Sequence, residues 1–125
     1  MITWYSVDDE IEDAQERLTA AWIDAPVTNL ETCGMLLEVA RDQVWSFAPE
    51  SLDEDDEPVV VIPTGSSVPA RLVYAQLQQA INLWNAGRVS SNGEAGGEGY
   101  SYTPRPLDKT IRHIIRPTQG VFDVG

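Results

Sequence analysis

The stretch that most constrains the fold is residues 69–87, where apolar side chains recur at the spacing of an α-helix. Five of them form one continuous helical face at i, i+4, i+7, i+8 and i+11, namely Val73, Leu77, Ala80, Ile81 and Trp84. Ser66 or Ser67 can cap the start, and Gly87 can end the helix in the left-handed conformation. The polar face is narrow and consists mostly of Gln76, Gln78, Gln79 and Asn82. We therefore predict a central helix that is buried on most sides, with Trp84 on its densest apolar face.

The size and charge of the chain narrow the classes of protein that fit it. Its 125 residues suit one domain, and no run of apolar residues predicts a membrane span or a signal peptide. The net charge is −12, of which residues 1–57 carry −14 and residues 58–125 carry +2. Such an acidic chain repels nucleic acid, because phosphate contacts require clustered Lys and Arg. We expect no specific nucleic-acid binding and no membrane association.

Two further helices are predicted before the central one. Ser6, followed by acids at positions 8–10, reads as the start of a first helix that Pro26 ends. Thr28 with Glu31 predicts a capping box for a second helix, which Pro49 ends. The second helix carries a regular apolar stripe: Leu30, Cys33, Leu37, Ala40, Val44 and Phe47. Gly34 within it predicts close packing of another backbone.

Three connecting segments are predicted to lack helix. Residues 50–57 read as an acidic, solvated loop, and residues 58–63 as an extended segment or edge strand, because prolines flank them. Residues 88–99 are rich in glycine and serine and read as a flexible loop. The expected fold is therefore mainly α, a small bundle of about four helices with long loops and an extended C-terminal arm.

The C-terminal arm, residues 107–125, differs in character from the acidic rest of the chain. Four apolar residues at i, i+4, i+7 and i+8 predict a short helix with a basic opposite face, followed by an apolar tail. The apolar positions are Leu107, Ile111, Ile114 and Ile115, the basic ones Lys109, Arg112, His113 and Arg116, and the tail carries Val121 and Phe122. One interpretation is that the apolar residues complete the domain's own core. The other is that the arm docks on a neighbouring chain or a larger partner, as amphipathic helices commonly do. In both, the arm belongs to the same domain as residues 1–106.

Residues suited to catalysis or to metal binding are scarce. Cys33 and His113 are the only cysteine and histidine, and Cys33 lies on the apolar stripe of the second helix, where a buried structural thiol is expected. The pairs CxxC and HExxH are absent, and the acidic loop lacks the ligand order of an EF-hand. The sequence therefore predicts no enzyme, no metal and no cofactor.

Three segments together resemble a family. VPARLVYAQLQQAINLWNAGR, GEGYSYTPRPLD and IRHIIRPTQGVFDV are similar in pattern and order to the head-to-tail connector adaptors of tailed bacteriophages that infect actinobacteria. The acidic segment ESLDEDDE has no counterpart in that pattern. The resemblance implies a structural protein of the virion neck, made in the host cytoplasm. It implies a ring, usually dodecameric, that contacts the portal, neighbouring adaptor subunits and tail-side neck proteins.

In that family the C-terminal arm corresponds to the part that engages the portal. The resemblance thus makes the following residues candidates for contacting the portal or a neighbouring subunit: Leu107, Lys109, Ile111, Arg112, Ile114, Ile115, Arg116, Val121 and Phe122. A second function, from a different class, is a small acidic binding protein, such as a DNA mimic or inhibitor that acts on a host protein. The acidic half of the chain motivates that alternative.

Overall fold

Four α-helices and one 3-10 turn make up the secondary structure of the described part of the chain. The computed structural model describes residues 3–8, 13–59, 62, 68–92 and 104–116, and for 88–92 only the backbone. The elements in chain order are α1 (Ala14–Ala21), α2 (Leu30–Phe47), the 3-10 turn Pro49–Ser51, α3 (Ala70–Asn92) and α4 (Lys109–Ile115). The prediction of a mainly α, small helical bundle is confirmed.

The long helices α2 and α3 form the centre of this bundle. They pack against each other, and α4 packs against α3 and touches α2. In the described residues, β-structure is limited to a single antiparallel bridge between Leu52 and Pro58. Among the described helices, none combines the length and the apolar character needed to cross a bilayer.

The apolar core consists of two clusters, and α2 and α3 contribute to both. One cluster joins the N-terminal segment and the C-terminal half of α2 to the start of α3 and to α4, through Trp4, Val44, Trp45, Ala48, Val68, Leu72, Val73, Ala75, Ile111 and Ile115. The other joins α1 to the remaining parts of α2 and α3, through Leu18, Trp22, Ala25, Cys33, Leu36, Leu37, Ala40, Leu77, Ala80 and Leu83. Trp84 is only half-buried at the edge of the second cluster, so Leu83, and not Trp84, is the deeply buried residue of that turn.

The prediction of a solvent-facing polar side on α3 is partly wrong, because two of its four residues are buried. Gln76 and Gln79 have relative exposures of 1% and 0%. The Gln76 amide accepts a hydrogen bond from Tyr5 N (2.8 Å) and donates to Tyr5 O (3.1 Å) and to Leu37 O (3.0 Å). A buried amide is tolerated where its donors and acceptors are satisfied. Hydropathy alone predicts both side chains to face solvent. Gln76 is satisfied inside the core as donor and as acceptor, whereas Gln79 donates through Nε2 and its Oε1 has no partner among the described residues.

The segment before α1 is fixed on its other side by Arg17. The guanidinium donates to Trp4 O (3.2 Å) and to Thr3 O (2.6 Å) and lies 4.1 Å from the centroid of the Tyr5 ring. Trp4 itself is buried, with a relative exposure of 6%. Arg17 of α1 and Gln76 of α3 therefore bond four backbone groups of residues 3–5, a stretch without secondary structure of its own.

The starts of the first two helices differ from the prediction. Asp13, with φ of 63°, precedes α1, so the assignment of Ser6 as its N-cap is wrong. Ser6 Oγ instead accepts from Asp8 N (2.9 Å) in a local turn. At α2 the cap is Asn29, whose side chain accepts from Thr32 N (3.2 Å), and not Thr28. Asn29 can serve as the cap because an Asn side-chain oxygen accepts from the first turn at least as well as that of Thr.

The predicted end of the central helix is also wrong. α3 continues through Gly87 to Asn92, so the first five residues of the predicted flexible loop 88–99 are helical; residues 93–99 lie outside the described part. Gly34 in α2 contacts a side chain and not another backbone, because a Cβ built there would lie 3.2 Å from Val7 Cγ2. The glycine therefore gives the N-terminal segment room to cross α2.

Replacement of Gln76 by leucine tests the buried amide. The Gln76→Leu variant is expected to lose about 1–3 kcal/mol of the free energy of unfolding, because the buried carbonyl of Leu37 and the part-buried N–H and carbonyl of Tyr5 lose their partner. Chemical denaturation followed by tryptophan fluorescence measures the change. Gln78→Leu is the matched control, since Gln78 is half-buried on the same helix, and a loss of similar size there would contradict the assignment.

Candidate partner-binding surface

Helix α4 is held in place by the residue that begins it. Asp108 Oδ1 accepts from Ile111 N (2.8 Å), which satisfies one of the free N–H groups of the first turn. Its other oxygen, Oδ2, accepts from Asn82 Nδ2 of α3 (3.1 Å). One carboxylate thus both starts α4 and attaches it to α3. Arg112 and His113 in the last turn suit the negative end of the helix dipole.

The segment that leads into α4 is attached through one backbone carbonyl. Arg105 O accepts from Gln79 Nε2 and from Gln43 Nε2, each at 2.9 Å. Gln79 Nε2 also donates to Gln43 Oε1 (2.9 Å), so α2 and α3 hold this carbonyl jointly. The side chain of Arg105 itself is exposed. The position of α4 therefore follows from two side-chain amides of the central helices, the buried Gln79 and the half-buried Gln43, which periodicity did not reveal.

The apolar face of α4 is part of the domain's own core. Ile111 and Ile115 have relative exposures of 2% and 0%, and Leu107 and Ile114 are half-buried against the same cluster. These four residues were predicted to contact a partner. The structure corrects this assignment for Ile111 and Ile115, whose side chains are buried within their own chain, and for residues 107–116 it supports the interpretation in which the arm completes the core.

The C-terminal end of α4 is attached to α3 and to the 3-10 turn by Arg71. Its Nε donates to Ile115 O (3.0 Å), a carbonyl that has no partner within the helix, and its Nη2 pairs with Glu50 Oε2. Both side chains of the ion pair are 34% exposed. The prediction that Glu50 belongs to the solvated loop is therefore wrong. One guanidinium joins three elements that are far apart in the sequence.

The opposite face of α4 is basic and open to solvent. Lys109, Arg112, His113 and Arg116 are exposed and, together with Phe47, line a shallow groove of about 360 Å³. Arg116 Nε donates to Phe47 O, and its guanidinium lies 4.6 Å from the centroid of the Phe47 ring. We call this surface, formed by the four basic residues and Phe47, the α4 basic patch.

A second groove adjoins the patch and shares Phe47 and Arg112 with it. It measures about 530 Å³, is more apolar, and is lined by Asp42, Gln43, Ser46, Phe47, Pro106, Leu107 and Arg112. The sequence identifies the basic residues of α4 as candidates for partner binding. It does not indicate that Phe47, a member of the apolar stripe of α2, lies beside them. Val121 and Phe122 lie outside the described residues. Of the candidate contact residues, the structure thus brings Lys109, Arg112 and Arg116 together on one exposed face.

An acidic surface lies on the loop that follows the 3-10 turn. Five consecutive acids are exposed there, Asp53, Glu54, Asp55, Asp56 and Glu57, and we call them the acidic turn. Asp53 Oδ1 accepts from Asp55 N and from Glu57 N, both at 2.9 Å, so its carboxylate orders the loop. The prediction of a solvated loop holds for residues 52–57.

A third cavity, of about 490 Å³, lies beside the N-terminal segment and is bordered by Ser6, Asp8, Gly34, Glu38 and Arg41 among others. No group of three or more His, Cys, Asp or Glu side chains in the described ranges is arranged to hold a metal ion.

Comparisons with known proteins give no assignment. No family model, no curated protein and no solved structure matches the chain.

The buried thiol of Cys33 leads to a prediction about pH. Burial raises the pKa of Cys33 from 9.0 to about 11, because the thiolate loses its hydration. The unfolded chain ionises first, so folding stability is unaffected below pH 9 and falls as the pH rises from about 9 to about 11. The free energy of unfolding is expected to fall by about 2–3 kcal/mol, because the pKa of Cys33 is 9.0 in the unfolded chain and about 11 in the folded one.

The measurement is the free energy of unfolding at about pH 8 and about pH 11 for the wild type and for Cys33→Ala. The variant removes only the thiol, so the difference between the two pH dependences isolates its contribution. Equal slopes for the two proteins would mean that Cys33 ionises in the folded state as readily as in the unfolded one.

Proposed function

We propose that the protein is a structural component of a tailed bacteriophage particle, an adaptor of the neck between the portal and the tail. The observation that carries the proposal is the α4 basic patch, a cationic surface with an aromatic floor on a chain of net charge −12. In this proposal the adaptor is made in the host cytoplasm, assembles as a ring, and docks through the patch on the portal or on a neighbouring subunit.

The charges of the patch are available for intermolecular contacts. Neither Lys109 nor Arg112 forms an ion pair within the described part of the chain, where the ion pairs are Arg41 with Asp42 and Arg71 with Glu50. Arginine suits recognition of a protein surface, since its planar guanidinium binds carboxylates through two hydrogen bonds and stacks on aromatic rings. Because the apolar face of α4 is buried, the docking contacts are assigned to the basic face.

The rigidity of α4 supports a docking role over that of a freely moving arm. Asp108 attaches its start to α3, and Arg71 attaches its end to the 3-10 turn. A surface whose backbone is already fixed loses less conformational entropy when it binds. The acidic character of the rest of the chain agrees with a neck through which DNA passes without adhering, because like charges repel.

The alternative is a small acidic protein that binds the basic groove of a host protein. The acidic turn favours this function, since its five carboxylates are exposed and its backbone is ordered. The two functions place the contact at different surfaces. An inhibitor of this kind would depend on the acidic turn and tolerate changes in α4.

Neutralising the patch tests the adaptor function. The variant Lys109→Gln with Arg112→Gln should fold normally, because both residues are exposed, and should lose attachment to purified DNA-filled heads and acceptance of tails. Circular dichroism monitors the fold, and sedimentation of labelled protein with heads monitors attachment. A loss of about tenfold in affinity is expected if each of the two charges contributes roughly 0.7 kcal/mol.

The matched control changes the net charge equally at positions away from the patch. Ala20→Glu with Asn85→Glu, at exposed residues of α1 and α3, makes the net charge more negative by two, as the loss of the two cations does in the patch variant. This control should attach as the wild type does. Attachment of a folded patch variant at full strength would overturn the assignment of the patch, and failure of the wild type to bind heads would overturn the adaptor function itself.

A further inference from the structure

We infer that the α4 basic patch of one copy binds the acidic turn of a second copy, so that copies of this chain join head to tail. The inference rests on the proposed function in taking the patch as the docking surface, and it goes further by naming the occupant. The argument comes from charge: one chain presents a cationic surface and an anionic surface, and neither is neutralised within the described residues.

The cationic surface has the features of a binding site for carboxylates. Three of its bases, Lys109, Arg112 and His113, lie within one turn of a helix whose opposite face is buried. Arg116 is held against the Phe47 ring by its bond to Phe47 O. Each of the two arginines carries several N–H donors in a planar arrangement, which suits a pair of neighbouring carboxylates.

The acidic turn is complementary to the α4 basic patch, because it presents several carboxylates on an ordered backbone. The backbone of the acidic turn is closed by bonds from Asp56 N to Asp53 O (3.0 Å) and from Asp53 N to Glu57 O (2.9 Å). Asp53 uses its carboxylate inside the turn, which leaves the carboxylates of Glu54, Asp55, Asp56 and Glu57 for an external partner. Consecutive like charges repel one another, and a cationic partner relieves that repulsion.

The two surfaces do not satisfy each other within one copy. No ion pair joins the acidic turn to α4 in the described part of the chain, although Arg71 brings Glu50 and the end of α4 together. A contact between two different surfaces of identical chains is heterologous. Repetition of such a contact gives a closed ring if the rotation closes and a filament if it does not.

A nucleic acid is a weaker candidate for the patch. Non-specific binding to DNA depends on many simultaneous phosphate contacts, whereas the patch offers three permanent cations beside a chain of net charge −12. A protein surface with a few carboxylates, by contrast, can be bound by the three cations of the patch alone. The acidic turn is the described segment with the longest run of exposed carboxylates.

The test uses the full chain and two neutralised variants. The patch variant is Lys109→Gln with Arg112→Gln, and the turn variant is Glu54→Gln with Asp55→Asn and Glu57→Gln. Sedimentation velocity at low salt and high protein concentration should show oligomers of the wild type, weakened at least about tenfold by 0.5 M salt through screening. Each variant alone should stay monomeric over the same range.

Mixing the variants separates a head-to-tail contact from any other. The turn variant keeps an intact patch and the patch variant keeps an intact acidic turn, so an equimolar mixture should form a 1:1 dimer that does not grow. Native mass spectrometry identifies the composition of that dimer, because the two variants differ in mass. A wild type that stays monomeric at low salt, variants that still assemble alone, or a mixture that stays monomeric would each overturn the inference.

The result for purified heads distinguishes this inference from the proposed function. If the patch variant fails to attach while the turn variant attaches fully and wild-type copies do not associate, the occupant of the patch is the portal and the inference fails alone. If copies associate through the two surfaces but do not bind heads, the adaptor function fails and the inference holds. Binding of a short DNA duplex by the patch, with no self-association, would likewise overturn the inference.

Discussion

The fold depends on how the polar groups of α3 are satisfied inside the bundle. Gln76 and Gln79 lie on the most buried helix, yet their amides bond to backbone atoms of segments that have no secondary structure of their own. Those segments lead into α1 and α4. Buried amides cost free energy unless they are paired. Here the pairing fixes the segments that precede α1 and α4. α3 therefore acts both as an apolar core element and as a hydrogen-bonding template for the chain that crosses it.

The helices were largely predictable, whereas these cross-chain bonds were not. Period-3.6 patterning located α2, α3 and α4, because tertiary packing selects the same apolar face that hydropathy marks. The same rule placed Gln76 in solvent, since a residue's hydropathy does not record whether a backbone N–H and carbonyl will lie beside it. Gly87 was read as a helix end, but a glycine inside a long helix costs only about 1 kcal/mol, which packing exceeds.

The candidate surface was predictable in its charges and not in its geometry. The bases of α4 are visible in the sequence against an acidic background, and three of the predicted contact residues share one exposed face. Phe47 belongs to another helix, and only the fold places its ring beneath Arg116. Ile111 and Ile115 followed the amphipathic pattern correctly, but a pattern does not state whether the surface they cover belongs to the same chain or to a partner.

Arg71 has a geometric consequence for any assembly of this chain. Its guanidinium bonds at once to the end of α4 and to Glu50, three residues before the acidic turn begins. These two bonds of Arg71 tie the position of the acidic turn to the end of α4. In a head-to-tail series, the angle between the two charged surfaces of one copy would repeat at every joint and determine the curvature, and hence how many copies close a circle. Subunit number would then depend partly on a contact inside the protomer.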